Sequence, residues 1–447
     1  MRHLRMIFML SYLIGLVALP ACGGSASTAG RVPQGDTGPQ HAATLTTSPT
    51  PAPGSMYPGK TSPGAGVGAG GSVQVGALPA SFPHYFSFGV LNAPQVASAL
   101  DEMRSANGTA FAFRYEMLSG TLSAQAVLQY MQESNQYGYI PAFIFDQLSP
   151  SQINDATFMQ GYYAGWEMLL RQVKAYGKPV LVMVEPAFWE ALEQASNGND
   201  ASQVAASVRS SGYTAAQYPD TAQGLAWTLL HMRDLYASNA MLALPISSAV
   251  GGADIATDQS PDLDVTSMAR DETHFLESIG LSGNPSDVST WDVLAGDLDG
   301  QDAANHGTWG DLYDRIFPNF ARYLSFIGQI CQQTQRRAVL WQAPEGNQYY
   351  TTMNNTPGHY QDNRAAYILD HVPQLIDAGV VSVLFGSKDS SGTEITNVRG
   401  DGVVNAAPVV SYECNRCNTH ISYYADDDGG FLRLFIGIYM AHPAVLR

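Results

Sequence analysis

From Tyr85 to the C-terminus, short apolar runs alternate eight times with amphipathic stretches of helical period. The runs are YFSFGVL (85–91), TAFAFRYEM (109–117), YIPAFIFDQ (139–147), PVLVMVEPAFW (179–189), NAMLALPISS (239–248), WDVLAGDLDG (291–300), RAVLWQAPEGN (337–347) and VVSVLFGSKD (380–389). Several intervening stretches stop at a glycine (Gly108, Gly138, Gly177, Gly379), the expected end of a helix. Strands that are apolar throughout, separated by helices, belong to a parallel sheet covered on its faces. Eight such units predict an α/β fold closed as a (β/α)8 barrel over residues 82–447. The alternative is an open doubly wound sheet. It calls for a glycine-rich phosphate turn after the first strand, and GVLNAPQ is not one.

The chain begins differently. Arg2, His3 and Arg5 precede an apolar run, Met6 to Leu19, that is short for a membrane span. Pro20, Ala21 and Cys22 follow, giving a basic region, an apolar region and a small-residue cleavage site over 1–21. The cysteine placed directly after the small residue resembles a bacterial lipoprotein signal, which implies Cys22 as the lipidated N-terminus of the mature protein. Gly23 stands where inner-membrane retention is associated with aspartate, so the resemblance implies the outer membrane or cell surface. Residues 22–81 are Gly, Ser, Thr, Ala and Pro with almost no large apolar side chains. Such a segment buries too little to offset its ordering entropy and reads as a flexible tether. Within it, GVGAGG (66–71) lacks the flanking strand and helix of a dinucleotide turn.

Charge narrows the partners. The chain carries −17, and losing Arg2 and Arg5 with the leader takes Lys+Arg from 22 to 20. No basic cluster remains, which argues against nucleic acid and for a neutral ligand. Cys331 falls in a helical stretch and reads as a buried thiol. Cys414 and Cys417, in a late polar loop, read as a local disulfide in an exported protein. Cys417 with His420 is too small a set for zinc, and YADDDGG (424–430) lacks the alternate spacing of a calcium loop. No metal or cofactor is expected, and the lipid anchor is the one expected tie to a membrane.

In a barrel the C-terminal ends of the strands carry the chemistry. Those ends supply Arg114, Tyr115, Glu116, Asp146, Glu185, Ser247, Ser248, Asp297, Asp299, Trp341, Gln342, Ser387, Lys388 and Asp389, with Asp302 just beyond the sixth. A mouth rich in carboxylates suits glycosidic bond cleavage, which pairs a proton-donating carboxylic acid with a carboxylate. Trp189, Trp309 and Trp341 offer faces for sugar rings, each with core packing as the competing role. His306 lies close to Trp309.

VMVEP (182–186) resembles the fourth-strand acid/base motif of TIM-barrel glycoside hydrolases of the large retaining clan. The resemblance implies Glu185 as acid/base. Val184 stands where those families usually carry Asn, and Gln342 where they carry the nucleophilic Glu; Glu345 lies three residues further on. YGKPVLVMVEP also resembles the inverting barrel cellobiohydrolases, with Ala187 in place of their Asp.

The resulting expectation is an exported glycoside hydrolase acting on a neutral polysaccharide or oligosaccharide. Glu185 is its acid, in partly apolar surroundings that raise a carboxyl pKa, and Asp297 is its partner. Arg114, Glu116, Asp146, Trp189, Asp299, Asp302, Trp341 and Gln342 are expected around the substrate, with Asp299, Asp302, Glu345 and Asp146 as alternative partners. Two other readings stay open: a non-catalytic polysaccharide-binding lipoprotein, suggested by Gln342, and an envelope protein without glycan affinity. Glu185 has its own competing role, a buried ion pair with Arg114.

Overall fold

The computed structural model describes residues 75–92, 111–196, 198–255, 260, 262–298, 319–343, 364–386 and 436–446. Eight parallel strands close into one barrel: β1 (Ser87–Leu91), β2 (Phe113–Leu118), β3 (Ile140–Phe145), β4 (Val180–Val184), β5 (Ala240–Ile246), β6 (Val293–Asp297), β7 (Ala338–Ala343) and β8 (Val380–Phe385). Each strand pairs with its neighbours in sequence, and β8 pairs with β1, Ser382 opposite Ser87. The open sheet is thereby excluded. The strands are shorter than the apolar runs that announced them, and β2 starts so late that Arg114, read as a strand-end residue, is the second residue of its strand.

Helices cover the barrel: α1 (Ala124–Gln136), α2 (Ala156–Tyr176), α3 (Pro186–Ala195), α4 (Ala222–Tyr236), α5 (Val265–Leu276), α6 (Asn319–Thr334), α7 (Arg364–Asp370) and α8 (Val372–Asp377). Local chemistry sets their limits. Asp155 caps α2 by accepting from Thr157 N and Phe158 N at 2.9 and 3.1 Å, and Thr221 and Asp264 cap α4 and α5 in the same way. Gly177 ends α2 at φ 75°, as a left-handed C-terminal residue does. Gly108 lies outside the described residues. Among those residues no helix is long and apolar enough to cross a membrane.

The core runs from the barrel interior to the helix layer. Phe143, Val182, Leu242, Leu294, Leu340 and Val383 are buried in the strands, and Trp166 and Trp291 are buried around them. Cys331 is a buried free thiol, as its helical setting suggested. Packing starts before residue 82. Val75 is partly buried against the core, and the Gly76 carbonyl accepts from Arg337 Nε at 2.7 Å.

Candidate active site

Strand ends converge at the mouth as the fold requires, but the backbone does not treat them alike. Glu185, just past β4, and Gln342, next to last in β7, both lie in the left-handed region, at φ 54°. For a residue with a Cβ this conformation is costly and persists only where the surroundings hold it. At Glu185 the reason is visible. Pro186 starts α3 immediately, and the side chain turns under the neighbouring loop. There Gln147 N donates to Oε1 and Oε2 at 3.1 and 3.0 Å, and Leu148 N donates to Oε2 at 2.9 Å.

Glu185 is fully buried, and burial raises its pKa to about 8. The Leu148 and Gln147 amides oppose that rise, and the charge of Asp146 adds to it. The carboxyl that was expected to meet substrate thus clamps the loop after β3, behind the wall of the mouth.

The mouth itself is a cavity of about 400 Å3 lined by Met117, Asp146, Pro186, Ala187, Glu190, Pro245, Ile246, Ala295, Asp297, Trp341 and Gln342. Four expected residues meet there: Asp146, Asp297, Trp341 and Gln342. Gln342 Nε2 donates to both oxygens of Asp297, at 3.2 and 2.9 Å, so the amide standing in place of a carboxylate orients the acid on the adjacent strand. Gly296 lets α6 come close beneath Asp297. A Cβ there would stand 2.6 Å from the Tyr323 hydroxyl, which donates to the Asp297 carbonyl at 2.9 Å.

Glu190 is the wall residue that strand-end reasoning passes over. It projects from α3, five residues after Glu185, and is half-buried. Burial raises its pKa, and the charge of Asp254 raises it further. A carboxyl whose pKa is raised, on the same wall as the oriented Asp297 side chain, is the arrangement acid-assisted bond cleavage uses.

The remaining expected residues lie elsewhere. Arg114 does not pair with Glu185. Its guanidinium meets Asn92 Oδ1 at 2.6 Å and Glu133 at 3.5 Å and lies over the Tyr130 ring, which corrects the ion-pair reading. Being 2% exposed, it is a structural cation and not a substrate contact. Glu116 accepts from Asn92 Nδ2 at 3.3 Å and is not on the cavity wall. Trp189 is 1% exposed and gives its indole N–H to the Val184 carbonyl at 3.1 Å, so it is core and not a sugar platform. Cys22, Asp299, Asp302, His306, Trp309, Glu345, Ser387, Lys388, Asp389, Cys414, Cys417 and the 424–430 loop lie outside the described residues.

No family model matches the chain, and no curated protein matches it. Solved structures do resemble it. The catalytic domain of a chitinase from Pyrococcus furiosus aligns at 10% identity over 82% of this chain and 97% of its own, with a TM-score of 0.40. Cel5A of Thermotoga maritima, in complex with mannotriose, aligns at 7% identity over 72% and 94%, with a TM-score of 0.39. A thiamine phosphate pyrophosphorylase from Pyrococcus furiosus aligns at 8% identity over 70% and 90%, with a TM-score of 0.28. Likeness at this level carries nothing about chemistry, and the barrel itself rests on its strand pairing.

Proposed function

We propose that the chain is an exported glycoside hydrolase acting on a neutral polysaccharide or oligosaccharide at the barrel mouth. The observation that carries the reading is one cavity wall holding Asp297, oriented by Gln342, together with Glu190, whose pKa burial raises, beside Trp341 and Asp146. In the proposed step the Glu190 carboxyl gives its proton to the glycosidic oxygen as the C–O bond breaks. Asp297 supplies the opposing electron pair, directly to the anomeric carbon or through a water. Glu185 holds the loop that carries Asp146 and acts as a positioning residue.

Reducing-sugar release across a panel of neutral polysaccharides tests the activity. Binding of a glycan without any turnover would replace the hydrolase with a polysaccharide-binding protein on the same scaffold. The acid is tested by comparing Glu190→Gln with Glu185→Gln on two substrates, one with an activated and one with an unactivated leaving group. Glu190→Gln should lose on the order of 10²-fold on the unactivated substrate and much less on the activated one. That pattern in Glu185→Gln instead, with the fold intact, returns the acid role to Glu185.

The leader and Cys22 support export and lipid anchoring at the bacterial envelope, facing the outer membrane or the cell surface. Radiolabelled palmitate should enter the wild-type chain and not Cys22→Ser. Incorporation that survives the substitution removes the anchor from this reading.

A further inference from the structure

Behind the mouth, outside the catalytic wall, two helices bring a second pair of carboxyls together. Glu193 on α3 and Glu272 on α5 are 4% and 0% exposed. The side chains contact each other. Glu272 Oε1 accepts from Ser247 N at 2.9 Å. Glu272 Oε2 and both Glu193 oxygens accept no direct hydrogen bond, although the Ser247 hydroxyl lies close enough to Glu193 to favour its ionised form. Two carboxylates have only acceptors to offer one another. Their contact becomes a hydrogen bond only when one of them carries the proton, and an ionised pair this deep would be strongly penalised.

The surrounding charges offer no relief. On α3 the nearest is Glu190, and on α5 it is Asp271, both acidic. Asp254, on the short ribbon formed by Ala249–Val250 and Ala253–Asp254, faces Glu190. The end of β5 contributes Ser247, which is neutral. The one cation of α6, Arg322, donates to the Ser260 carbonyl at 2.7 Å. His274 acts on Asp200, and Arg270, His274 and Glu277 line a separate groove. Among the described residues no third Asp, Glu, His or Cys joins the pair as a metal-ligating set.

We infer that Glu193 and Glu272 share a single proton, and that this proton is a pH-sensitive latch tying α3 and α5 to the end of β5. The latch reaches the mouth through Ser247. That residue's amide is held by Glu272 and its hydroxyl accepts from Ala249 N at 3.1 Å, directly after Pro245 and Ile246 of the cavity wall. Burial moves both groups upward, Glu193 to about 7. The charge of Glu193 adds to the rise at Glu272. At Glu193 the contacts with Glu272 and Ser247 oppose the rise, and the charges of Glu190 and Asp271 add to it. Loss of the proton to solvent leaves two buried negative charges with one backbone donor between them.

Thermal unfolding against pH tests the latch in wild type, Glu193→Gln and Glu272→Gln. In either variant the amide supplies the bridging N–H without taking a proton from solvent. The wild-type midpoint should fall by several degrees between about pH 5 and about pH 9, and most of the pair's share of that fall should vanish in the variants. Other buried acids contribute a common slope, so the difference between chains reads the pair. Hydrogen exchange in peptides covering 247–254 should accelerate over the same window in wild type beyond the intrinsic rise. Parallel slopes in all three chains overturn the inference. So does a wild-type alkaline loss that calcium chloride alone reverses, since that would make the shared species a cation. If the variants fail to fold, infrared titration of the wild type decides: a protonated-carboxyl band unchanged between those pH values sinks the latch.

Discussion

The two ends of the barrel hold their charges in opposite ways. At the N-terminal end of the strands, Arg233 reaches from α4 to Asp292 at 2.6 Å and Asp234 at 2.8 Å, and also to Ser289 and the carbonyls of Ala240 and Thr290. Arg336 donates to the Trp291 carbonyl and Arg337 to that of Gly76. Cations there are matched by fixed acceptors. At the C-terminal end the acids meet neutral donors: two backbone amides at Glu185, a side-chain amide at Asp297, and one amide at Glu272. None of the ion pairs among the described residues includes Glu185, Glu190, Glu193 or Glu272. An arginine with its donors filled has a fixed charge and fixes the backbone around it. Burial with neutral partners raises the pKa of Glu185, Glu193 and Glu272, so these acids titrate well above the usual carboxylate range. One end confers rigidity, and the other is left free to titrate.

The contrast can be broken most sharply at Asp297. Asp297→Asn should lose on the order of 10³-fold in kcat/KM while leaving the urea midpoint where it was, the signature of an acid used for chemistry. Arg233→Ala should do the reverse. Its acid partners are about one-third exposed, so removing the cation costs about 1–3 kcal/mol in urea unfolding, with kcat/KM of the folded fraction unchanged. Glu185→Ala lies between the two ends. It orphans the Gln147 and Leu148 amides at a cost of about 1–3 kcal/mol for each unsatisfied group, whereas Glu185→Gln keeps an acceptor and costs much less.

The smallest effect is the pH trend of the whole fold. Glu185, at about 8, and Glu193, at about 7, lie above their unfolded values, so the native state binds more protons than the unfolded state. The stability these groups contribute is complete below the unfolded carboxylate pKa and is lost as pH rises through about 7 to 8. Urea midpoints should therefore climb as pH falls from about 8 toward about 5, and a flat profile would show the two acids to be ionised throughout.

The barrel was legible because its signal is redundant: eight apolar runs, each bounded by helix stops, admit few closures. The site was legible where a strand end keeps extended geometry into the loop, as at Asp146 and Asp297. Glu185 departs from the expected position because the Gln147 and Leu148 amides hold its carboxyl under the β3 loop, whereas Gln342, with the same left-handed backbone, reaches the cavity. The departure ran on into α3, where Trp189 became core. Glu193 carried a signal that was not read. It occupies the buried stripe of α3 with Trp189 and Leu192, and Glu272 lies in that of α5 with Met268, Ala269 and Leu276. A glutamate at an apolar position of a helical stripe points to a partner across the interface, and two such helices flanking one strand point to each other.

The early start of packing has a consequence for where the barrel can be perturbed. Val75 approaches Gly379 and Gly76 sits on Gln335 and Arg337, all at the points where β7 and β8 begin. The described chain therefore begins at the pole opposite the cavity, where β7 and β8 start. A substitution at Gly76, where a Cβ would stand 1.9 Å from the Gln335 carbonyl oxygen, should therefore cost stability at that pole and leave the cavity lining untouched.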